Sequence, residues 1–177
     1  MIITAGIYKG RKLSAPDESI TRPTLSKTRM GIFNSLYSLL GSFEGKSFLD
    51  VFGGSGIMGL EAISRGFSSV RVYELNKKAA EIIKKNYTLL GLKPDLTIGD
   101  SLKLMQKSEE KYDVIYIDPP YQSNLYEGIL KTANADIIIA EHSTDIDFTG
   151  FNIVKQKTYG NCKITFLSKY IPKSDNC

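Results

Sequence analysis

From residue 47 onward the chain alternates between two hydrophobic periods. SFLDVF, SVRVYEL, DLTIG, DVIYID and DIIIAEH are short runs rich in β-branched and aromatic residues, and they read as strands. Between them, IMGLEAISR, NKKAAEIIKKNYTLL, SLKLMQK and YEGILKTAN carry the spacing of helices. Asn76 is the expected N-cap of the second of these helices and Gly91 its C-cap. Strand and helix in regular order predict right-handed crossovers and a parallel sheet covered on both faces. FNIVKQKTYGNCKITFLSKY reads as two further strands around a Tyr159-Gly160-Asn161 turn, so one of them must insert antiparallel. Upstream, residues 25–40 place Met30, Phe33, Leu36, Tyr37 and Leu40 at helical spacing, with Gly41 as a stop. Residues 1–23 are irregular, with a short strand or hairpin running into a loop. The expected organisation is one domain over 1–177, with an N-terminal extension (1–24) and a catalytic core (25–177).

Composition narrows the class. The chain has 177 residues, 42% hydrophobic and 24% charged, as in an ordinary soluble domain. No stretch approaches the ~20 apolar residues of a membrane span. The first residues lack the layout of a signal peptide. Cys162 and Cys177 form no close pair, which predicts reduced thiols, a cytoplasmic protein and no metal site. The net charge of +4 has one source. Residues 1–30 hold Lys9, Arg11, Lys12, Arg22, Lys27 and Arg29 against Asp17 and Glu18, and the remainder is balanced. Such a patch attracts polyanions, and all six are candidate RNA contacts. The plainer alternative is a solvated, flexible arm.

In parallel sheets of this kind ligands sit beyond the carboxyl ends of the strands. Residues 54–59, GSGIMG, follow a strand and open a helix. Small residues there let a cofactor approach the backbone, and the helix start offers free N–H groups. Glu74 ends the next strand, where a carboxylate can accept from both hydroxyls of an adenosine ribose. A dinucleotide would bring a pyrophosphate to the loop. S-adenosylmethionine brings a sulfonium and an ammonium instead, and Asp50, just ahead of the glycines, favours those cations. Asp100, after the third strand, is placed to meet the adenine amine. The expected cofactor is therefore S-adenosylmethionine. Its candidate contacts are Asp50, Phe52, Gly53, Gly54, Ser55, Gly56, Glu74, Leu75, Asp100, Ser101, Leu102 and Asp118. A tight strand-to-helix turn accounts for the glycines alone, but not for the acids at successive strand ends.

Residues 113–123, DVIYIDPPYQS, end the fourth strand in a rigid corner. A conjugated exocyclic amine needs two fixed acceptors to direct its lone pair at a methyl group. The Asp118 carboxylate is one, and the Pro119 carbonyl is a natural second. Proline limits reorganisation, and Tyr121 can stack on the base. Asp118, Pro119, Pro120 and Tyr121 are thus the candidate catalytic residues. As a bare local pattern the same four residues are a proline-terminated strand with a surface tyrosine. The corner itself is compatible with guanine, adenine or cytosine.

The sequence resembles the RsmD-type 16S rRNA guanine-N2-methyltransferases over most of its length. The similarity lies in AGIYKGRKL (5–13), RPTLSKTRMGIFNSL (22–36), FLDVFGGSGIMGLEAISRG (48–66), VYELNKKA (72–79), IDPPY (117–121), IIAEHS and KTYGNCKITFL. The cofactor loop and IDPPY are shared with many methyltransferases, and the two N-terminal segments narrow the family. The resemblance implies a Rossmann-like class I α/β fold with a seven-stranded, mostly parallel sheet and an antiparallel C-terminal strand. It implies S-adenosylmethionine as donor. It implies a guanine of 16S rRNA as acceptor, within a small ribosomal subunit or an assembly intermediate. It also implies that Arg22, Pro23 and Thr24 lie against the cofactor's methionine end or the target strand. Leu25 stands where the family has a second threonine, and Gly53 where it has alanine; the second exchange reads as sterically harmless. A DNA or RNA adenine-N6 or cytosine-N4 methyltransferase would use the same corner but would need more surface for target recognition. A nicotinamide-dependent oxidoreductase leaves Asp50 and the corner unexplained, and a non-catalytic RNA-binding module needs no acids around a glycine loop. Among other polar residues, His142 is expected to face solvent and Glu141 to be structural. Lys155, Lys157 and Lys163 are expected to be solvated, and Cys162 to be a small strand residue.

Overall fold

The computed structural model describes residues 1–15, 26–120 and 125–169. The helices are α1 (Ser26–Leu40), α2 (Ile57–Ser64), α3 (Lys77–Thr88), α4 (Ser101–Lys107) and α5 (Leu125–Thr132). The strands are β1 (Ser47–Asp50), β2 (Ser69–Glu74), β3 (Asp95–Ile98), β4 (Tyr112–Ile117), β5 (Ala135–His142), β6 (Phe151–Tyr159) and β7 (Cys162–Lys169). They form one sheet in the order β3-β2-β1-β4-β5-β7-β6. The first five strands pair in parallel, and β7 runs antiparallel between β5 and β6. The expected antiparallel insertion is therefore made by β7. Among the described residues, no helix is long and apolar enough to cross a membrane.

The continuous apolar runs of the central strands follow from burial on both faces. Along β4, Val114 and Tyr116 join one core layer with Phe33, Phe48, Leu60, Ile83 and Phe166. Ile115 and Ile117 alternate into the other layer with Leu49, Ile129, Ile138 and Leu167. Strand order reverses between β1 and β4. Chains entering loops from those two strands leave in opposite directions, which opens a crevice at their carboxyl ends. The glycine loop after β1 and the Asp-Pro-Pro corner after β4 flank that crevice.

Local capping matches the sequence. The Asn76 side chain accepts from the Lys78 and Ala79 amides at 2.8 and 3.2 Å, starting α3. The buried face of α1 differs from the expected stripe. Ile32, Phe33 and Leu36 point inward together with Thr28, Arg29 and Ser35, while Met30 and Tyr37 are 46% and 59% exposed. An ion pair turns the helix this way. Arg29 is buried and donates to Glu61 at 3.4 Å, to the Ile2 carbonyl at 2.7 Å and to Ser26 Oγ at 3.2 Å.

Residues 1–15 are docked rather than a flexible arm. An antiparallel bridge joins Ile2 and Lys12, and Ile3 and Leu13 are buried. The Ile7 amide donates to the Ser64 carbonyl at 2.8 Å, and the Ser14 amide to Asn86 Oδ1 at 2.8 Å. Glu61 on α2 lies at the centre of the attachment. It accepts from Thr4 N at 2.7 Å, Thr4 Oγ1 at 3.0 Å and Arg65 Nε at 3.2 Å, besides Arg29.

Candidate active site

The glycine loop lies flat on β2. The Gly53 amide donates to the Tyr73 carbonyl at 2.8 Å, and the Gly54 amide to Glu74 Oε2 at 2.7 Å. Gly54 and Gly56 have φ of 54° and 78°, left-handed values that glycine adopts without a Cβ clash. Gly53 is required for another reason. A Cβ there would lie 2.3 Å from Val72 Cγ1 and 2.9 Å from Ile83 Cδ1. The exchange with alanine is therefore not harmless in this chain, because Val72 is a stiff β-branched strand residue. Ser55 is buried, and its carbonyl accepts from Asn86 Nδ2 at 2.9 Å.

The acids meet at the strand ends. Glu74 holds the loop through Oε2 and the Asn76 amide, at 2.7 Å, through Oε1. Each carboxylate oxygen has two lone pairs, so ribose hydroxyls can still be accepted. Asp50 is buried at the end of β1, and its Oδ1 has no hydrogen-bond partner. Burial and the Glu74 charge push its pKa up to about 7, against backbone hydrogen bonds from Phe52 and Gly59. Asp100 is exposed and caps α4, accepting from Lys103 N at 2.9 Å. Ser101 Oγ donates to the Val51 carbonyl at 2.7 Å and fastens α4 beside the end of β1. Leu75 is 64% exposed, an apolar surface beside Glu74 for a flat ring. Phe52 and Leu102 are half-buried against the second core layer.

The corner after β4 adds a third carboxylate. Ile117 pairs with Ala140, so Asp118 emerges beside Glu141. Burial, then the charges of Glu141 and Asp50, raise the Asp118 pKa well above the usual carboxylate range, while a hydrogen bond with Tyr116 opposes the shift. Pro119 is buried and Pro120 exposed. Tyr121 lies outside the described residues, as do Arg22, Pro23, Thr24 and Leu25.

The structure divides the remaining candidates. Lys9, Lys12 and Lys27 are exposed, and the exposed Arg11 donates to the Leu89 carbonyl at 3.0 Å. Arg29 is sealed under the N-terminal hairpin and has no surface to offer a polyanion, so its expected RNA contact is withdrawn. His142 is not solvent-facing. It is the last residue of β5, covered by β7, with Nδ1 against the Thr144 carbonyl at 2.7 Å and Nε2 against Thr165 Oγ1 at 2.9 Å. Lys163 pairs with Asp145 at 2.7 Å. Glu141 has the structural role expected of it. It accepts from Tyr116 OH at 2.5 Å and from Cys162 Sγ at 3.2 Å, and its backbone carbonyl accepts from Tyr126 OH. Strand register was the signal that could have placed it beside Asp118.

The charges and the cradle together fit S-adenosylmethionine. The Glu74 charge raises the Asp50 pKa, and the charges of Glu141 and Asp50 raise that of Asp118; such repulsion is relieved by a cation and aggravated by a pyrophosphate, and the unpartnered Asp50 oxygen lies within it. The fold is that of the class I S-adenosylmethionine-dependent methyltransferases. A family model described as "Conserved hypothetical protein 95" matches residues 1–168, and the chain belongs to that family, the RsmD-type methyltransferases. Its relatives include Bacillus subtilis YlbH, 29% identical across 96% of this chain and 99% of that protein. "Ribosomal RNA small subunit methyltransferase D" of Buchnera aphidicola is 35% identical across 75% of this chain and 67% of that protein. Among solved structures, Escherichia coli yhhF shares the fold with a TM-score of 0.82 at 21% identity, covering 96% of this chain and 97% of that one.

Proposed function

We propose that the protein transfers a methyl group from S-adenosylmethionine to the exocyclic N2 amine of a guanine in 16S rRNA. The observation that carries this reading is the Asp118-Pro119 corner. It ends β4 next to β1, so its acceptors stand across the crevice from the glycine loop. The name of the Buchnera relative supports ribosomal RNA of the small subunit as the acceptor. The cofactor supplies an electrophilic methyl group on sulfur. Asp50, Phe52 to Gly56, Glu74, Leu75 and Asp100 to Leu102 hold it, with Arg22 and Thr24 at its methionine end. Asp118 and the Pro119 carbonyl accept the two N–H groups of the amine and direct the nitrogen lone pair. Fixed acceptors of this kind act without reorganisation. One proton leaves as the carbon–nitrogen bond forms, and Asp118, which already accepts one of the amine's N–H groups, takes it. Tyr121 stacks on the base.

Residues 1–24 form the basic extension and 25–177 the catalytic core. Lys9, Arg11, Lys12, Arg22 and Lys27 hold the phosphate backbone. The substrate is 16S rRNA within a small subunit or an assembly intermediate, in the cytoplasm. The test is incubation with labelled S-adenosylmethionine and either unmodified small subunits or naked 16S rRNA, followed by nucleoside analysis. Label in N2-methylguanosine is expected. Unlabelled RNA, or label on adenine N6, refutes the reading. Asp118→Ala is expected to abolish turnover with cofactor affinity near wild type. Weak cofactor binding with normal turnover contradicts the role given to it.

A further inference from the structure

Asp118 and Glu141 stand side by side at the mouth of the crevice. Ile117 and Ala140 pair across the parallel ladder, and each acid is the next residue on its strand. Neighbouring strands lie about 4.8 Å apart. Tyr116, two residues before Asp118 and on the same face, donates to Glu141 Oε2 at 2.5 Å. Cys162 on β7 holds the other Glu141 oxygen at 3.2 Å. The Glu141 carboxylate is thus fixed from two strands, yet the residue is only half-buried. Carboxylates and carbonyls offer acceptors alone. Asp118, the Pro119 carbonyl and Glu141 therefore line the mouth with three acceptors.

Bases that carry an exocyclic amine differ at the ring nitrogen beside it. In adenine and cytosine that nitrogen is an acceptor. In guanine N1 bears a hydrogen, so N1–H and the N2 amine are adjacent donors. We propose that Glu141 selects guanine, accepting N1–H while Asp118 and Pro119 hold the N2 amine. This rests on the reading above that the corner takes the amine. Adenine or cytosine would set a ring lone pair against the Glu141 carboxylate and leave that acceptor unmatched, a mismatch that polar sites reject strongly. Guanine answers two mutually repelling carboxylates with two donors from one edge.

The test uses RNA carrying guanine or 2-aminopurine at the mapped target position. 2-Aminopurine keeps the exocyclic amine, but its N1 is an acceptor. The wild-type protein is expected to prefer guanine in kcat/KM by about 10- to 100-fold. Glu141→Gln offers an amide N–H to that acceptor. It is expected to lose about tenfold on guanine while holding or gaining on 2-aminopurine, so the preference narrows by about tenfold or more. A loss caused by the missing O6 of 2-aminopurine would not be relieved by this variant, and a merely structural Glu141 would lower both substrates alike. Equal wild-type rates on the two bases overturn the proposal, and that comparison needs no variant to fold. A variant that loses the same factor on both also overturns it. Failure of the underlying reading is distinguishable, because the wild type would then label neither base.

Discussion

Replacing Glu61 with Gln isolates the joint between the N-terminal hairpin and the core. The side chain is fully buried and accepts from four groups: Thr4 N at 2.7 Å, Thr4 Oγ1 at 3.0 Å, Arg65 Nε at 3.2 Å and Arg29 Nε at 3.4 Å. Glutamine keeps the shape but removes the charge. Whichever way the amide turns, its NH2 faces donors that the second oxygen had satisfied. Removing one member of a buried ion pair costs about 3–5 kcal/mol, because the remaining charge is left in a dry interior. At roughly 2–4 °C per kcal/mol for a domain of this size, Tm falls by about 6–20 °C. Urea unfolding followed by circular dichroism measures the first quantity and a thermal scan the second. The loss should also be local. Limited proteolysis is expected to cut within residues 1–15 before the sheet unfolds. A change below about 1 kcal/mol would refute the reasoning, since it would mean that Arg29 and Arg65 reach water or other partners at no cost.

Other perturbations read other parts of the molecule. Gly53→Ala drives a Cβ into Val72 and is expected to cost about 1–3 kcal/mol; pairing it with Val72→Ala should recover part of that, and an unchanged unfolding midpoint would mean the loop lifts freely. For Asp50, whose folded pKa is raised from 3.8 to about 7, the folded state holds the proton more tightly than the unfolded chain. Its ionisation therefore costs stability progressively from about pH 4 to about pH 7, with a ceiling near 4 kcal/mol. Asp50→Asn should remove that slope and gain on wild type as pH rises, while binding S-adenosylmethionine more weakly; parallel stability profiles for the two proteins would contradict this. Arg11→Ala with Lys12→Ala should weaken RNA binding and shallow its salt dependence by about 0.7 per lost phosphate contact, whereas an unchanged slope would make the hairpin a mere covering.

The sheet was legible because its signals are local. Alternating periods named the strands and helices, Asn76 announced α3, and the parallel logic placed Asp118 next to β1. The glycine loop and the corner were legible for the same reason, each being one contiguous stretch. What the sequence concealed depends on partners distant along the chain. Arg29 looked like one more exposed cation because Glu61, which buries it, lies 32 residues away on another helix. His142 looked solvent-facing because β7, which covers it, is the last strand described and inserts out of order. Gly53 looked exchangeable because the wall it touches is Val72, on the neighbouring strand. Glu141 was hidden by register, which exists only once β4 and β5 are paired.

The insertion of β7 between β5 and β6 also orders events during synthesis. The parallel strands and their helices are complete once His142 has emerged, but β5 then has an open edge. Its neighbour on that side, Cys162 to Lys169, is made last among the strands, and β6 pairs only with β7, so the two join the sheet together as a hairpin. Until then the Ile138–His142 edge is unpaired, and the Phe166 and Leu167 positions in both core layers are unfilled. A nascent chain halted before residue 162 would carry both loops of the active site, yet it would present an adhesive strand edge rather than a finished enzyme.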